Sequence, residues 1–185
     1  VARFGDDQTV IGWRQGRKAV ILGKYRGLDT AQVAHRTIEF MEKEKPDATV
    51  VDGDGLGAGV VDQIRNRGFG HKLFEFHGAQ KANDAAKYFN RRAEVWGLMR
   101  DWLQAGAEIP DDPELEVDLT GPEYLYSPKQ QIQLEKKEDM KRRGLASPDC
   151  GDCIAMSFAV QIAARRPQPK TSYVYHGDPE TAWMA

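Results

Sequence analysis

The stretch Ala48-Thr49-Val50-Val51-Asp52-Gly53-Asp54-Gly55-Leu56-Gly57-Ala58-Gly59 decides how this chain folds. A short β-branched run suits a buried strand, and the acid and glycines behind it suit a tight turn into a helix. Such a strand delivers the Asp52 carboxylate to the edge of a sheet. Far downstream, Asp149 and Asp152 stand three apart at a predicted helix start and so share a face. If that helix buries its apolar body, Ile154 to Val160, against the sheet, its first-turn acids point to the edge where Asp52 emerges. Carboxylates gathered from distant sequence are what a hard divalent cation requires.

Upstream, residues 9–13 and 18–25 read as a strand hairpin about Gln15-Gly16. Asp29 or Thr30 caps a helix over roughly 31–45, and Pro46 stops it. After the Asp52 strand come a helix near 59–67 and a strand near 72–76. Asn83 or Asp84 is expected to open a long amphipathic helix to about 104, burying Val95, Leu98, Met99 and Trp102. Residues 109–121, with acids between prolines, read as a loop with at most a helical turn. A second hairpin is expected about Pro128-Lys129, then a basic helix ending at Gly144. Ser147 as N-cap with Pro148 behind it starts a last helix to about 164. The order of elements argues for a mixed α/β sheet with helices on both faces. Residues 1–166 form one domain on this reading. Residues 167–185 turn proline-rich and aperiodic, and read as a dispensable flexible tail in which Trp183-Met184 resembles a short anchor for a partner.

The bulk numbers exclude little. With 185 residues the chain fits one domain, and 26 basic against 28 acidic side chains leave a formal charge of −2, which gives nucleic-acid binding no overall support. Basic clusters are local: Arg91-Arg92, Lys136-Lys137, Lys141-Arg142-Arg143 and Arg165-Arg166. No apolar run approaches the roughly 18 residues of a membrane span, and no signal-peptide pattern opens the chain. Two cysteines cannot staple a domain of this size, so a reducing cytosolic setting is expected. Val1-Ala2-Arg3-Phe4 begins without Met directly before a turn, as an excised domain would.

Each motif has a plainer reading beside the chemical one. Asp149 and Asp152 could merely complement a helix dipole. Gly53-Asp54-Gly55-Leu56-Gly57-Ala58 matches G-x-G-x-x-A, and Glu75 falls about where a ribose-binding acid would sit, so a dinucleotide site is a rival. Against it, Asp52 and Asp54 put two negative charges where a pyrophosphate would bind. Cys150-Gly151-Asp152-Cys153 has redox spacing, but buried thiols acting as small hydrophobes are the simpler account, and zinc would need two more ligands. The lone histidines read as surface or satisfied core residues, and only His77, just past a strand end, stands out as a candidate. No phosphate loop and no serine nucleophile elbow occur.

Four segments together resemble a known family. Val1-Ala2-Arg3-Phe4-Gly5-Asp6-Asp7, Val51-Asp52-Gly53-Asp54-Gly55-Leu56-Gly57-Ala58-Gly59-Val60-Val61-Asp62, Tyr88-Phe89-Asn90-Arg91-Arg92-Ala93-Glu94-Val95-Trp96 and Leu145-Ala146-Ser147-Pro148-Asp149-Cys150-Gly151-Asp152 are similar, in the right order, to the nuclease domain of tailed-phage terminase large subunits. The resemblance implies a ribonuclease H-like fold and metal-dependent cleavage of concatemeric double-stranded DNA during packaging, in the cytoplasm of the infected bacterium. It implies an ATPase motor domain in the same protein, with the terminase small subunit and capsid portal as partners. Of the family's three metal-binding acids, Asp52 matches the second and Asp152 the third, with Asp149 as a flanking ligand. The first falls directly before Val1. Two Mg²⁺ or Mn²⁺ ions would be held there, and Lys129, Lys136, Lys137, Arg142 and Arg143 would grip phosphates without reading bases. A dinucleotide-binding enzyme and a DNA-binding module without catalysis remain the alternatives.

Overall fold

A computed structural model describes residues 8–163. The chain opens with the antiparallel pair β1 (Thr9–Gln15) and β2 (Lys18–Tyr25), whose register shifts once, between Ile11 and Gly12. Helix α1 (Thr30–Glu44) starts as expected. Asp29 accepts from the Gln32 N–H at 2.8 Å, and the Gln32 side chain accepts from the Asp29 N–H at 2.9 Å, so two otherwise orphaned donors are satisfied reciprocally. Lys45 turns left-handed at φ 48° just before Pro46 and ends the helix.

Strand β3 (Thr49–Asp52) runs parallel to β4 (Leu73–Phe76), with Asp52 opposite Phe76 at the carboxyl end. The two are joined through α2 (Gly57–Ile64) and two irregular turns. Alternation along β3 divides the interior into two cores. Val51 packs with Val33, Val60, Val61, Ile64 and Leu73 under α1 and α2. Val50 packs against the other core, built on Val95, Trp96, Met99, Leu115, Cys150 and Ile154. A strand apolar on both faces needs cover on both. Here α1 and α2 cover one face, while α3 (Arg91–Gln104), α4 (Pro113–Thr120) and α6 (Asp149–Met156) contribute to the other.

The mixed strand directions and two-sided helical cover agree with the sequence reading, as does the hairpin β5 (Tyr124–Tyr126) with β6 (Ile132–Leu134), which precedes α5 (Lys137–Arg142). Among the described residues, however, the strands pair as three two-stranded ladders and not as one hydrogen-bonded sheet. Helix α6 contacts both β1 and β3, so side-chain packing joins the first two ladders.

Three helices differ from expectation. Helix α3 begins at Arg91, because the Glu94 carboxylate accepts the N–H groups of Asn83 at 3.0 Å and Asp84 at 2.9 Å and holds that segment as a loop, while Asn90 caps the helix through the Ala93 N–H. Leu98, expected inside, is 38% exposed. The presumed loop at 109–121 contains all of α4, started by the Asp112 cap and Pro113 in the first turn. Helix α6 is two turns long, far short of the expected helix to 164, and Ser147 does not cap it. The proposed tail lies outside the described residues.

At Gly57 the first turn of α2 meets the end of β3: an added Cβ would stand 1.6 Å from the Asp52 carbonyl oxygen. Only glycine allows that approach. Replacing Gly57 with Ala should destabilise the chain by about 3 kcal/mol, at the upper end of core overpacking. Gly59→Ala, whose Cβ would find only ordinary contacts with Thr30 from 3.6 Å, should be neutral or slightly stabilising. Urea unfolding of the two variants checks the contrast; equal losses would contradict it.

Candidate active site

One open cleft of about 390 Å³ is lined by Asp52, Asp149 and Asp152 together with Lys136 and Lys137. The sequence separated these residues by up to a hundred positions. Strand β3 ends with Asp52 at the cleft, and the first turn of α6 brings the other two acids in from the side. Asp52 folds its carboxylate back onto the glycine turn, where Oδ1 accepts from the Asp54 N–H at 3.1 Å. Asp149 Oδ2 accepts from the Gln8 N–H, at the start of the hairpin, at 2.8 Å.

Asp152 is engaged by three side chains. Its Oδ1 accepts from the Trp96 indole N–H at 2.7 Å and from Arg92 Nε at 3.3 Å, and its Oδ2 pairs with Lys137 Nζ at 2.8 Å. Burial by itself would raise its pKa, but the charges of Arg92 and Lys137 prevail and hold it below the usual carboxylate range. Asp152 therefore stays ionised at neutral pH. Lys137 lies between the two acids, with Asp149 Oδ1 at 3.8 Å. Burial pulls its pKa down, Asp152 pushes it up, and the net effect is a rise, so its ammonium is firmly charged.

The polypeptide start of α6 has no side-chain cap of its own. The Asp149 N–H donates to the Ser147 carbonyl, and the next two go to Asp118 on α4: Oδ2 accepts from Cys150 N–H at 2.8 Å and Gly151 N–H at 3.2 Å. Asp118 is 6% exposed. Burial pushes its pKa up to about 6, despite the two backbone bonds that favour the charged form.

The five basic residues separate in space. Lys136 and Lys137 line the cleft; Lys129, Arg142 and Arg143 are not among its lining residues. Arg143 is bound to Glu135 at 2.6 Å and 2.9 Å and to the Gly121 carbonyl. Arg142 pairs with Asp139 on the exposed side of α5. His77, at the end of β4, bonds Asp54 at 2.8 Å through Nδ1, and that bond is the largest of the influences that raise its pKa. Among the described residues no three His, Cys, Asp or Glu side chains are gathered closely enough to form a preassembled metal cage.

The rival readings of two motifs lose ground here. Glu75, the candidate ribose acid, is bonded to Arg65 at 2.6 Å and lies 3.5 Å from His77, so the dinucleotide reading lacks its free carboxylate. Both cysteines are free, and burial pushes each thiol up to about 12, which keeps them as inert packing groups.

Arg92, Trp96 and Asp118 escaped the sequence reading. Arg92 and Trp96 carried a signal, since residues four apart on a helix share a face. Asp118 carried none, because its partners lie 32 and 33 residues away on another element.

The fold is ribonuclease H-like, in the form adopted by nuclease domains of phage large terminase subunits. A mutant nuclease domain of the large terminase subunit gp2 of bacterial virus Sf6, with manganese and beta-thujaplicinol, superposes with a TM-score of 0.72 over 84% of each chain at 18% identity. The same domain of Sf6 gp2 in another structure gives 0.68 at 20% identity, again over 84% of each chain. The large terminase nuclease of thermophilic phage G20c with bound cobalt gives 0.55 at 12% identity, over 85% of this chain and 84% of that one. No protein-family model matches the sequence, and no curated protein sequence does.

The Asp118 shift has a defined sign. A carboxyl whose pKa is higher folded than unfolded lends the native state stability below the unfolded pKa of 3.8, and this is lost as pH rises through about 6. At about 1.4 kcal/mol per pKa unit, the change across that window is about 3 kcal/mol. Asp118→Asn should remove this slope, so the stability of the parent relative to the variant should fall between pH 4 and 7 in urea titrations. Parallel pH profiles would contradict the assignment.

Proposed function

We propose that this chain is a metal-dependent endonuclease domain that cuts concatemeric double-stranded viral DNA during genome packaging. The observation that carries this reading is the convergence of Asp52, Asp149 and Asp152 on one cleft whose wall also presents Lys136 and Lys137. Carboxylates recruit hard cations and ammonium groups attract phosphate oxygens, which together suit a phosphodiester backbone. Nuclease domains that share the fold were solved with manganese, calcium, cobalt or magnesium, which supports Mg²⁺ or Mn²⁺ as the ion here.

The donor set fits such ions. Every candidate ligand is a carboxylate oxygen, and the Lys137 ammonium rests beside Asp149 and Asp152, so the space between the two acids accepts positive charge. Asp52, Asp149 and Asp152 would hold two ions. Bound ions supply an activated water and stabilise the leaving 3′ oxygen. The chain's own residues do the rest. Arg92 and Trp96 keep Asp152 ionised and aimed. Lys137 pairs with Asp152 and lies near Asp149, lowering the repulsion between the two acids. Lys136, with Lys129 and Arg142 farther out, holds the DNA backbone without base readout. Arg143, already engaged by Glu135, contributes through that contact to the wall of the cleft.

The same reading places the domain beside an ATPase motor domain of its own protein, with the terminase small subunit and capsid portal as partners, in the cytoplasm of an infected bacterium. No helix among the described residues is long and apolar enough to cross a membrane.

Asp152→Asn tests the site directly. It keeps the shape and an oxygen for the Trp96 N–H but removes the charge. Mutating groups that merely orient a metal ligand costs about 10- to 100-fold in affinity or activity, so loss of the ligand itself should cost at least about 100-fold. The assay is supercoiled-plasmid cleavage in Mn²⁺, with protein extended through the residue before Val1 so that the first acid of the resembling family is included. Circular dichroism should show the fold retained. A variant that cuts as fast as its parent would sink the metal site.

A further inference from the structure

We infer that Asp118 is a positioning residue for the acidic cleft, setting from α4 the direction in which α6 presents Asp149 and Asp152. The inference rests on the nuclease reading above and adds to it a residue with no contact to DNA or metal. The first turn of α6 follows Pro148, which has no side-chain group to offer as a cap, and its backbone is sequestered: Cys150 is 0% exposed and Gly151 is buried. Buried N–H groups without acceptors are costly. Both Cys150 and Gly151 donate to the same oxygen, Asp118 Oδ2. The two N–H groups flank the acids in sequence, one following Asp149 and the other preceding Asp152. A shift of that carboxylate moves the turn that carries both ligands.

Gly151 locks the arrangement. A Cβ built there would stand 2.8 Å from the Trp96 ring edge and 3.3 Å from Asp118 Cβ, so α3 and α4 both pack closely against the helix turn at Gly151. The same Trp96 donates its indole N–H to Asp152. Asp118, Gly151 and Trp96 thus form one packed unit whose outer end is the Asp152 carboxylate. A generic helix cap would stabilise α6 and leave the cleft indifferent. This cap has little slack, because the turn it fixes packs closely on both the Trp96 ring and α4.

Two variants and two readouts separate these roles. Asp118→Ala removes the acceptor; Asp118→Asn keeps an amide oxygen for the two N–H groups. Exchange of the Trp96 indole proton, assigned by its loss in Trp96→Phe, reports how firmly Asp152 is held and needs no metal. Manganese binding, followed by electron paramagnetic resonance, reports the consequence. In Asp118→Ala the indole proton should exchange faster and Mn²⁺ should bind about tenfold more weakly, the scale seen when groups behind a metal ligand are removed. Asp118→Asn should restore both to within about threefold. A folded Asp118→Ala with a lower melting point but unchanged indole exchange and Mn²⁺ affinity would overturn the inference. Should Asp118→Ala fail to fold, parental values of both readouts together with melting as low as expected of a lost cap in Asp118→Asn would overturn it as well. If Asp152→Asn binds Mn²⁺ like the parent, the metal reading fails by itself, and indole exchange still decides the role of Asp118.

Discussion

The rest of the site depends on keeping Asp152 ionised where water is scarce. Taking a carboxylate out of water is expensive, and neutralisation is its usual fate unless charge and hydrogen bonds compensate. Here three side chains on two helices supply that compensation. Helix α3 brings Arg92 and Trp96, one turn apart, and α5 brings Lys137 from the opposite side. Each donor reaches a named oxygen, and the net effect is a lowered pKa. The same geometry explains why α3 must begin at Arg91. With Asn90 as cap, Arg92 and Trp96 fall on the face toward α6, while Glu94 turns to Arg91 and the preceding loop.

The segment from Tyr88 to Trp96 is accordingly a device for the cleft as much as a helix start. Tyr88 is 2% exposed and joins the β6 strand through a bridge to Ile132. Asn90 caps, Arg91 and Glu94 form a buried pair that ties the 83–84 loop and the Ala159 carbonyl, and Arg92 spans Asp152 and the Glu135 carbonyl. Breaking one half of such a buried pair leaves an uncompensated charge, so the segment tolerates little change. Its polar residues look expendable on a helical wheel, yet they are the ones that join α3 to four other parts of the chain.

Asp52, Asp149 and Asp152 share their cleft with Arg92, Lys136 and Lys137, so opposite charge offsets part of the repulsion among the acids. Lys137 stands close to Asp152, and no tight cage of acids is gathered among the described residues. Carboxylates left close together without a cation would repel one another and tend to take up protons. Under the proposed function, a divalent ion would therefore meet a site already adapted to positive charge. The likeness to terminase nuclease domains, at TM-scores up to 0.72 but only 10–20% identity, indicates that the backbone frame tolerates wide sequence change. In this chain, alternation on β3 and the glycine approach at its end help hold the frame.

Sequence by itself determined the local parts. The β-branched run into Asp52, the Asp29 capping box, the hairpins and the spacing of Asp149 and Asp152 are written in neighbouring residues, because strand alternation, capping and helical periodicity act over a few positions. The four-part resemblance to terminase nucleases was legible for the same reason: its motifs are contiguous. Tertiary structure alone decided how those parts meet. The start of α3 was misplaced because Glu94, ten and eleven residues downstream, claims the N–H groups of Asn83 and Asp84. Helix α4 went unread because its Asp-Pro start resembles a turn until Leu115 finds the core, where it is 1% exposed. The cap of α6 belongs to Asp118, and the charge state of Asp152 belongs to Arg92, Trp96 and Lys137, none of them its neighbours in sequence. Hydrogen bonds and charges act through space, so a chain read in order shows which acids are present but not which of them the fold will hold ionised, and by what.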